Sequence, residues 1–195
     1  LLSSGSVKCW GHNGSGQLGD GTTTDNKTGV TVSGISNATK VVADASISCA
    51  LLSGGTVKCW GYNYYGQLGD GTTTQRTTPV AVSGLSGVSD ISSGGTFVCA
   101  LINDGTAKCW GESTNYSLGD GTNGTNRTTP VTVSGISNAV EISTGTYHGC
   151  ARINDGTVKC WGGIRKGDGT TGWFQSTSGL IPGISGAVEL EGDTW

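Results

Sequence analysis

The chain has 195 residues, of which 36 are Gly, 7 are Cys and none is Met, and only 13% are charged. This composition lacks the Ala, Leu, Glu and Lys that helical bundles need, and it favours short strands joined by tight turns. The formal net charge of -3, with no run of Lys or Arg longer than two residues, excludes a nucleic-acid-binding module of the usual electrostatic type. No apolar run approaches the roughly 18 residues of a membrane-spanning helix, so we expect no membrane insertion.

A repeat of about 50 residues organises the sequence. The string Lys-Cys-Trp-Gly begins at Lys8, Lys58, Lys108 and Lys159. Each copy is followed by a Gly-Asp-Gly-Thr corner, a Thr-rich loop, an alternating stretch such as Val-Ala-Val at 80–82, and a second short apolar run. Each period therefore predicts about four short strands, separated by turns that contain Gly, Asn-Asp-Gly or Pro.

Four strands in a period of about 40 to 50 residues are typical of one blade of a β-propeller. The sequence therefore predicts an all-β fold, with a single repeat domain over residues 1–195 that is built of propeller blades. The four copies extend approximately over 1–48, 49–98, 99–149 and 150–195. The fourth copy is shorter between its Cys and its Asp corner, and it has Trp173 and Phe174 where the others have polar residues, as expected of a terminal or specialised blade.

The repeat resembles that of a known family. Residues 55–71 read Gly-Thr-Val-Lys-Cys-Trp-Gly-Tyr-Asn-Tyr-Tyr-Gly-Gln-Leu-Gly-Asp-Gly. This stretch is similar to the repeat of the regulator of chromosome condensation family, whose pattern is Gly-x-Val-x-x-Trp-Gly-x-Asn-x-x-Gly-Gln-Leu-Gly-x-Gly. Members fold as seven-bladed propellers, so the resemblance implies that the four copies are part of a seven-bladed or larger repeat assembly. The His that the family often has before the Trp strand occurs once, as His148, where other copies have Ile47 and Phe97.

Six of the seven Cys fall into three pairs, each separated by ten residues: Cys49 with Cys59, Cys99 with Cys109, and Cys150 with Cys160. Each pair encloses a Gly-Gly or Asp-Gly dipeptide between apolar runs, which is a strong hairpin signal. A hairpin loop centred on Gly54 places Cys49 directly opposite Cys59, within reach of a disulfide. Pairing across 40 or 41 residues would instead join strands that are not adjacent. We therefore predict these three disulfides, with Cys9 unpaired.

Repeated disulfides predict an oxidising compartment, and therefore an extracellular or cell-surface location. A zinc site is the alternative interpretation of a Cys-rich chain. However, no Cys-x-x-Cys pair occurs, and only His12 and His148 could assist as ligands. We therefore expect no metal site and no cofactor.

One Asp and one Trp recur in every copy at a fixed place. The corner carboxylates are those of Asp20, Asp70, Asp120 and Asp168. Each corner offers one carboxylate, whereas a calcium site requires about six to eight oxygen ligands, so we expect each Asp to accept local backbone N–H groups. The recurrent Trp side chains, which we expect to fill the core between blades, are Trp10, Trp60, Trp110 and Trp161.

The candidate binding residues are those that differ between copies inside this constant frame. They are the tyrosines and arginines of the loops that follow each Trp strand: Tyr62, Tyr64, Tyr65, Tyr116, Arg76 and Arg127. Tyr and Asn in loops on a rigid scaffold form adaptable contact surfaces, so these loops are the predicted binding surface. Solvated loop variation without a binding role is the alternative.

The function that we expect is a non-enzymatic, extracellular or cell-surface structural or binding module that contacts protein or glycan partners. Nuclear members of the family exchange nucleotide on a small GTPase and bind chromatin, but repeated disulfides do not fit that compartment and no insertion resembles the exchange wedge. Secreted relatives that inhibit β-lactamases make an inhibitor-type propeller the first alternative. A hydrolase on the propeller face is the second alternative, although neither His has a Gly-x-Ser-x-Gly partner and no glycosidase-like carboxylate pair occurs.

Both ends of the sequence stop inside a hairpin that every period requires. Leu1 aligns with Leu51, just after a Cys, and Trp195 aligns with Tyr147, just before one. Repeat arrays need caps at their ends, and head-to-tail contacts between copies form rings or filaments. We therefore expect a segment of a longer repeat protein, or self-association end to end.

Overall fold

The computed structural model describes residues 1–44, 46–164 and 173–191. In these ranges the chain forms fourteen short β-strands and one short 3₁₀ helix, Thr114–Tyr116. The strands are β1 (Lys8–Gly11), β2 (Asn26–Thr31), β3 (Ala38–Ala43), β4 (Ile47–Leu52), β5 (Val57–Gly61), β6 (Arg76–Ala81), β7 (Val88–Ser93), β8 (Phe97–Ile102), β9 (Ala107–Gly111), β10 (Arg127–Thr132), β11 (Ala139–Thr144), β12 (His148–Ile153), β13 (Val158–Ile164) and β14 (Trp173–Leu180).

The strands form four antiparallel sheets that are the blades of a partial β-propeller, which confirms the predicted fold. Blade 1 contains β1 and β2 only, whereas blade 2 (β3 to β6), blade 3 (β7 to β10) and blade 4 (β11 to β14) each have four strands in sequence order. The blades are out of phase with the copies counted along the sequence. The copy 49–98, for example, begins inside β4 and ends inside β8, because the Cys hairpin lies in the middle of each sheet.

The second and third strands of each complete blade form the hairpin that holds a disulfide. Cys49 of β4 lies directly opposite Cys59 of β5, with Cα atoms 4.1 Å apart. So short a separation is that of a non-hydrogen-bonded antiparallel pair, in which the two side chains are closest. The other bridges are Cys99–Cys109 and Cys150–Cys160, as the ten-residue spacing predicts. Cys9 is free, and its neighbour across β1 and β2 is Val30.

The core lies between blades, where the disulfide face of one blade packs on the Trp face of the next. Cys49 and Cys59 of blade 2 belong to the same buried cluster as Trp110 of blade 3. Cys99 and Cys109 of blade 3 pack in the same way with the Trp of blade 4, Trp161. This arrangement follows from the period of two along a strand, which places Cys and the adjacent Trp on opposite faces of the sheet.

The indoles confirm the predicted core position in blades 2, 3 and 4, but not in blade 1. Trp60, Trp110 and Trp161 are fully buried, whereas Trp10 is 69% exposed. The expectation for Trp10 was wrong because a Trp is buried by the preceding blade, and in the residues that the structure describes no sheet precedes β1. The same position is therefore core in three copies and surface in one.

A glycine at each blade junction allows this packing. Gly69 has φ +69°, and a Cβ there would lie 2.8 Å from Nε1 of Trp110. Such a distance is shorter than any real Cβ contact, and the positive φ also strains side chains other than that of Gly. The Gly before the corner Asp is therefore required by contact with the next blade as well as by the turn.

Within the described ranges, no helix has the length and apolar character needed to cross a membrane.

Candidate functional site

The loops between the third and fourth strands of the blades lie together on one face of the propeller. Because equivalent strands run in the same direction in each blade, the loops at 12–25, 62–75 and 112–126 leave the sheets on the same side. All the candidate binding residues predicted from the sequence lie in these loops or at the first residue of the strand that follows. This face is therefore the candidate binding surface.

The loop of blade 2 is held by two buried amide side chains. Oδ1 of Asn63 accepts the N–H of Leu68 at 2.9 Å, and its Nδ2 donates to the carbonyl oxygens of Thr72 and Thr74 at 3.1 and 3.0 Å. Oε1 of Gln67 accepts the N–H of Tyr65 at 3.0 Å. Asn63 and Gln67 are both buried, so these bonds are not in competition with bulk water. The loop is consequently a defined platform for the side chains that it presents.

The corner Asp of blade 2 organises the far side of the same loop. Oδ1 of Asp70 accepts the N–H and the hydroxyl of Thr72 at 2.9 and 2.7 Å. Its Oδ2 accepts hydrogen bonds from Nε and Nη2 of Arg76 at 2.9 and 2.7 Å. Burial opposes ionisation of this carboxyl, but the hydrogen bonds from Thr72 and Arg76 outweigh burial, and the pKa of Asp70 is lowered. The expected role of the Asp, to accept local backbone N–H groups, is found here.

Blade 3 repeats this arrangement with Asp120, Thr122 and Arg127. Oδ2 of Asp120 accepts hydrogen bonds from Nε and Nη2 of Arg127 at 2.9 and 2.8 Å. Asp20 of blade 1 accepts the N–H of Thr22 in the same manner, but the position of the Arg is occupied by Asn26. Asp168 lies outside the described residues.

Arg76 and Arg127, predicted as binding residues, thus bind the corner carboxylates of their own blades. Their side chains are 37% and 31% exposed, and the paired oxygens are largely buried. This pairing was not predicted from the sequence, although its signal is present there: an Arg follows the corner Asp by six or seven residues in the second and third copies only. The two arginines stabilise the loops in addition to any contact with a partner.

Three of the four predicted tyrosines form one surface cluster, which we call the tyrosine cluster: Tyr62, Tyr64 and Tyr65. The rings of Tyr62 and Tyr64 are nearly parallel, with an interplanar angle of 20° and centroids 6.4 Å apart. The ring of Tyr65 is steeply inclined to both, at 74° and 87°, with centroids 6.3 and 5.2 Å away. Tyr64 is 69% exposed, whereas Tyr62 and Tyr65 are half-buried, so the cluster meets solvent mainly through Tyr64.

The loop of blade 3 supplies a carboxylate beside this cluster. Glu112 occupies the position in its loop that Tyr62 occupies in blade 2. The charge of Glu112 is the main reason that the pKa of the Tyr65 phenol is raised above its ordinary value. Oε1 of Glu112 also accepts the hydroxyl of Thr114 at 2.7 Å, which orients the carboxylate. Glu112 was not predicted from the sequence, because its relation to the tyrosines depends on how two blades pack.

Tyr116, the fourth predicted tyrosine, lies in the loop of blade 3. It has φ +61° and follows Asn115 at φ +55°, at the place where blade 2 has Gly66. Two successive non-Gly residues with positive φ are uncommon, and this conformation costs energy that the rest of the loop must offset. The N–H of Tyr116 donates to Oδ1 of Asn123 at 3.3 Å, which is one bond that holds the loop.

In the described part of the chain, no three His, Cys, Asp or Glu side chains lie close enough to hold a metal ion. The two histidines, His12 and His148, lie in different blades. Nε2 of Gln17 contacts Nδ1 of His12 at 3.0 Å within the loop of blade 1. His148 begins β12, where burial lowers its pKa.

The sequence matches models of one repeat family. The model described as the regulator of chromosome condensation (RCC1) repeat matches residues 54–101 and 104–152. A second model with the same description matches residues 39–67. Together the matched ranges cover more than half of the chain. No curated protein sequence matches it.

Solved structures with the same fold include two of the yeast RCC1 protein and one human protein. Human WBSCR16 is 22% identical, with a TM-score of 0.77, over 89% of this chain and 46% of its own. Yeast RCC1 (Prp20), solved with Kap60 bound, is 20% identical with a TM-score of 0.81, over 100% of this chain and 49% of its own. Prp20p from Saccharomyces cerevisiae, studied with its binding properties to Gsp1p and histones, is 18% identical with a TM-score of 0.76. The match covers 90% of this chain and 46% of Prp20p. This chain thus spans about half the length of these proteins, and the likeness shows a shared fold.

Proposed function

The chain belongs to the regulator of chromosome condensation repeat family, and from this premise we propose that it is a non-enzymatic module that binds a protein partner in an oxidising compartment, outside the cell or at its surface. The single observation that supports this function best is the tyrosine cluster. It is a group of three aromatic rings, one exposed and two half-buried, on a loop whose backbone is fixed by buried side chains.

An exposed aromatic group on a rigid loop is suited to binding. Tyr adds large contact area at a low cost in conformational entropy, because its side chain has only two rotatable bonds. The hydrogen bonds of Asn63 and Gln67 order the loop before any partner arrives, so little backbone entropy is lost on association.

The yeast relative supports a protein as the partner. Its solved complex contains Kap60, and its binding to Gsp1p and histones has been examined. The same scaffold therefore presents protein-binding surfaces in a relative of about twice the length. We propose a protein partner for this chain on that basis, with no identity carried over from the yeast protein.

The disulfides support the proposed compartment. Three bridges occur at equivalent places in three successive blades, and four of their six sulfur-bearing residues are fully buried. Structural disulfides form and persist in oxidising compartments and are rare where glutathione keeps thiols reduced. A chain that reaches its native cell surface with all three bridges formed would agree with this proposal. A chain found reduced in the cytosol would contradict it.

The test compares the wild-type chain with a triple variant in which Tyr62, Tyr64 and Tyr65 are changed to Ala. Both proteins are applied at equal concentration to an array of purified extracellular proteins and to a glycan array. The matched control is Tyr147→Ala, because Tyr147 is exposed but lies outside the cluster. We expect at least one protein to bind the wild type and the control but not the triple variant. Binding of glycans only, or protein binding that the triple variant retains in full, would contradict the proposal, as would turnover in hydrolase assays.

A further inference from the structure

The three rings of the tyrosine cluster form a corner rather than a flat platform. Tyr62 and Tyr64 are close to parallel, and Tyr65 is inclined at 74° and 87° to them. No two centroids are more than 6.4 Å apart. A single positively charged group above the cluster can therefore lie within about 6 Å of all three centroids, which is the range of a cation–π interaction.

Negative charge lies at the same place. A Cβ on Gly111, the residue before Glu112, would lie 3.2 Å from the Cβ of Gln67, and the side chain of Gln67 accepts the N–H of Tyr65. The loop that carries Glu112 therefore lies beside the loop of the tyrosine cluster, and the charge of Glu112 raises the pKa of Tyr65. The chain as a whole is acidic, with a formal net charge of -3. A cation in the corner would gain attraction from the ring faces and from this carboxylate.

We propose that Tyr62, Tyr64, Tyr65 and Glu112 form a binding site for one cationic side chain, an Arg guanidinium or a Lys ammonium, of a partner protein. This inference rests on the proposed function and specifies the chemistry of the contact. The site joins two blades, because the three rings come from the loop between β5 and β6 and the carboxylate from the loop that follows β9.

The geometry favours a cation over a sugar. A sugar ring stacks on one flat aromatic face, and the steep inclination of Tyr65 to Tyr62 and Tyr64 means that the three rings form no single flat face. Tyr64 is 69% exposed and Tyr62 and Tyr65 are half-buried, so the end of a side chain that remains attached to a folded partner can reach the rings from solvent.

The equivalent loop of blade 1 provides a matched control within the same chain. It has Gly14 and Ser15 where blade 2 has Tyr64 and Tyr65. Its buried Asn13 accepts the N–H of Leu18 at 2.9 Å, as Asn63 does with Leu68. The loop frame thus forms without the rings, and the double variant Tyr64→Gly/Tyr65→Ser should fold like wild type while lacking the site.

The experiment is a titration followed by the ring proton signals of the tyrosines in the NMR spectrum. The probes are the peptide acetyl-Gly-Arg-Gly-amide and the same peptide with citrulline, which is an uncharged isostere of Arg. We expect the Arg peptide to shift the signals of the three clustered tyrosines with roughly three- to tenfold higher affinity than the citrulline peptide. Glu112→Gln, whose side-chain oxygen can still accept the Thr114 hydroxyl, should lower the affinity for the Arg peptide by about two- to fivefold. The double variant Tyr64→Gly/Tyr65→Ser should show no preference for the Arg peptide over the citrulline peptide.

Four outcomes would overturn the inference, two of them from titrations with methyl glucoside and choline as additional probes. Equal affinity for the Arg and citrulline peptides would show a contact surface with no preference for charge. Stronger binding of methyl glucoside than of the Arg peptide would assign the corner to glycans, and stronger binding of choline would assign it to a small quaternary ammonium ligand. No shift with any probe would show that the corner binds no cation. In each case the protein array decides separately whether the tyrosine cluster contacts a partner, so the two proposals fail independently.

Discussion

The indole Nε1–H of Trp110 donates a hydrogen bond to the backbone carbonyl oxygen of Gln67, 2.9 Å away and in the preceding blade. The side chain of the same Gln67 accepts the N–H of Tyr65. One residue thus joins the core between blades 2 and 3 to the loop that presents the tyrosine cluster. Equivalent bonds join Trp60 to Gln17 and Trp161 to Ser117.

The effect of substituting a Trp on stability should therefore depend on whether that Trp is buried at a junction between blades. Trp110→Ala should lower the free energy of unfolding by about 3–5 kcal/mol, since a large buried side chain is lost. Trp110→Phe should cost about 1–3 kcal/mol, because the buried carbonyl of Gln67 loses its donor. Trp10→Ala, at an exposed indole, is the matched control and should change stability little. Urea unfolding measures all three, and an equal loss for Trp10→Ala and Trp110→Ala would show that the blade junctions are not as described.

Two glycines of blade 2, Gly66 in the tyrosine loop and Gly54 in the disulfide hairpin, differ in what an added methyl group would meet. A Cβ on Gly66, at φ +80°, would lie 2.8 Å from the Cα of Thr128 in the next blade, whereas one on Gly54 would meet nothing within 4 Å. We expect Gly66→Ala to destabilise the protein by more than about 1 kcal/mol and Gly54→Ala to be neutral or slightly stabilising. Melting temperatures of the two variants, measured side by side, provide the check. A neutral Gly66→Ala would mean that the loops of blades 2 and 3 do not approach as closely as the structure shows.

Acid should destabilise the fold through its corner carboxylates. Burial opposes ionisation of Asp70 and Asp120, but the hydrogen bonds that each accepts outweigh it, so both pKa values are lowered from the ordinary 3.8. A group whose pKa is lowered by folding stabilises the folded state above its unfolded pKa, and this contribution is lost as pH falls through the folded pKa. Stability should therefore decline below about pH 4.

The variant Asp70→Asn separates this effect from general acid unfolding. It should be less stable than wild type at pH 7, and the difference between the two proteins should shrink between pH 5 and pH 2, because wild-type Asp70 becomes protonated there. Glu189→Gln, at an exposed position, is the control and should follow the wild-type curve. If the difference in stability between Asp70→Asn and wild type does not change with pH, ionised Asp70 does not stabilise the fold as we expect.

The three disulfides should be reduced in a defined order. Cys49, Cys59, Cys99 and Cys109 are fully buried between blades, whereas Cys150 is half-buried. A thiolate must reach a sulfur atom to begin exchange, so Cys150–Cys160 should open first. Timed treatment with dithiothreitol, followed by alkylation and peptide mapping, would reveal the order. Simultaneous opening of all three bridges would indicate that reduction requires unfolding of the whole chain.

Much of the fold could be predicted from the sequence because its signals are local. The ten-residue Cys spacing and the Gly-Gly or Asp-Gly turn between the two Cys specify a hairpin, and the hairpin places Cys49 opposite Cys59. A period of about 50 residues with four strand-like segments specifies a blade. The bonds of Asp70 to Thr72 span two residues and are likewise local. Turn chemistry and periodicity act within a few residues, so the amino-acid order alone determines these features.

Only the tertiary structure decided how the blades use these features. The same Trp is buried at Trp60 and exposed at Trp10, because burial depends on the blade that packs against it. The sequence identified the tyrosines of the loop, but the corner that their rings form and its carboxylate from Glu112 arise where two blades meet. Contacts between blades join positions more than 40 residues apart, such as Gln67 and Trp110. The geometry of such contacts depends on the packing of whole sheets, and no local pattern of residues encodes it.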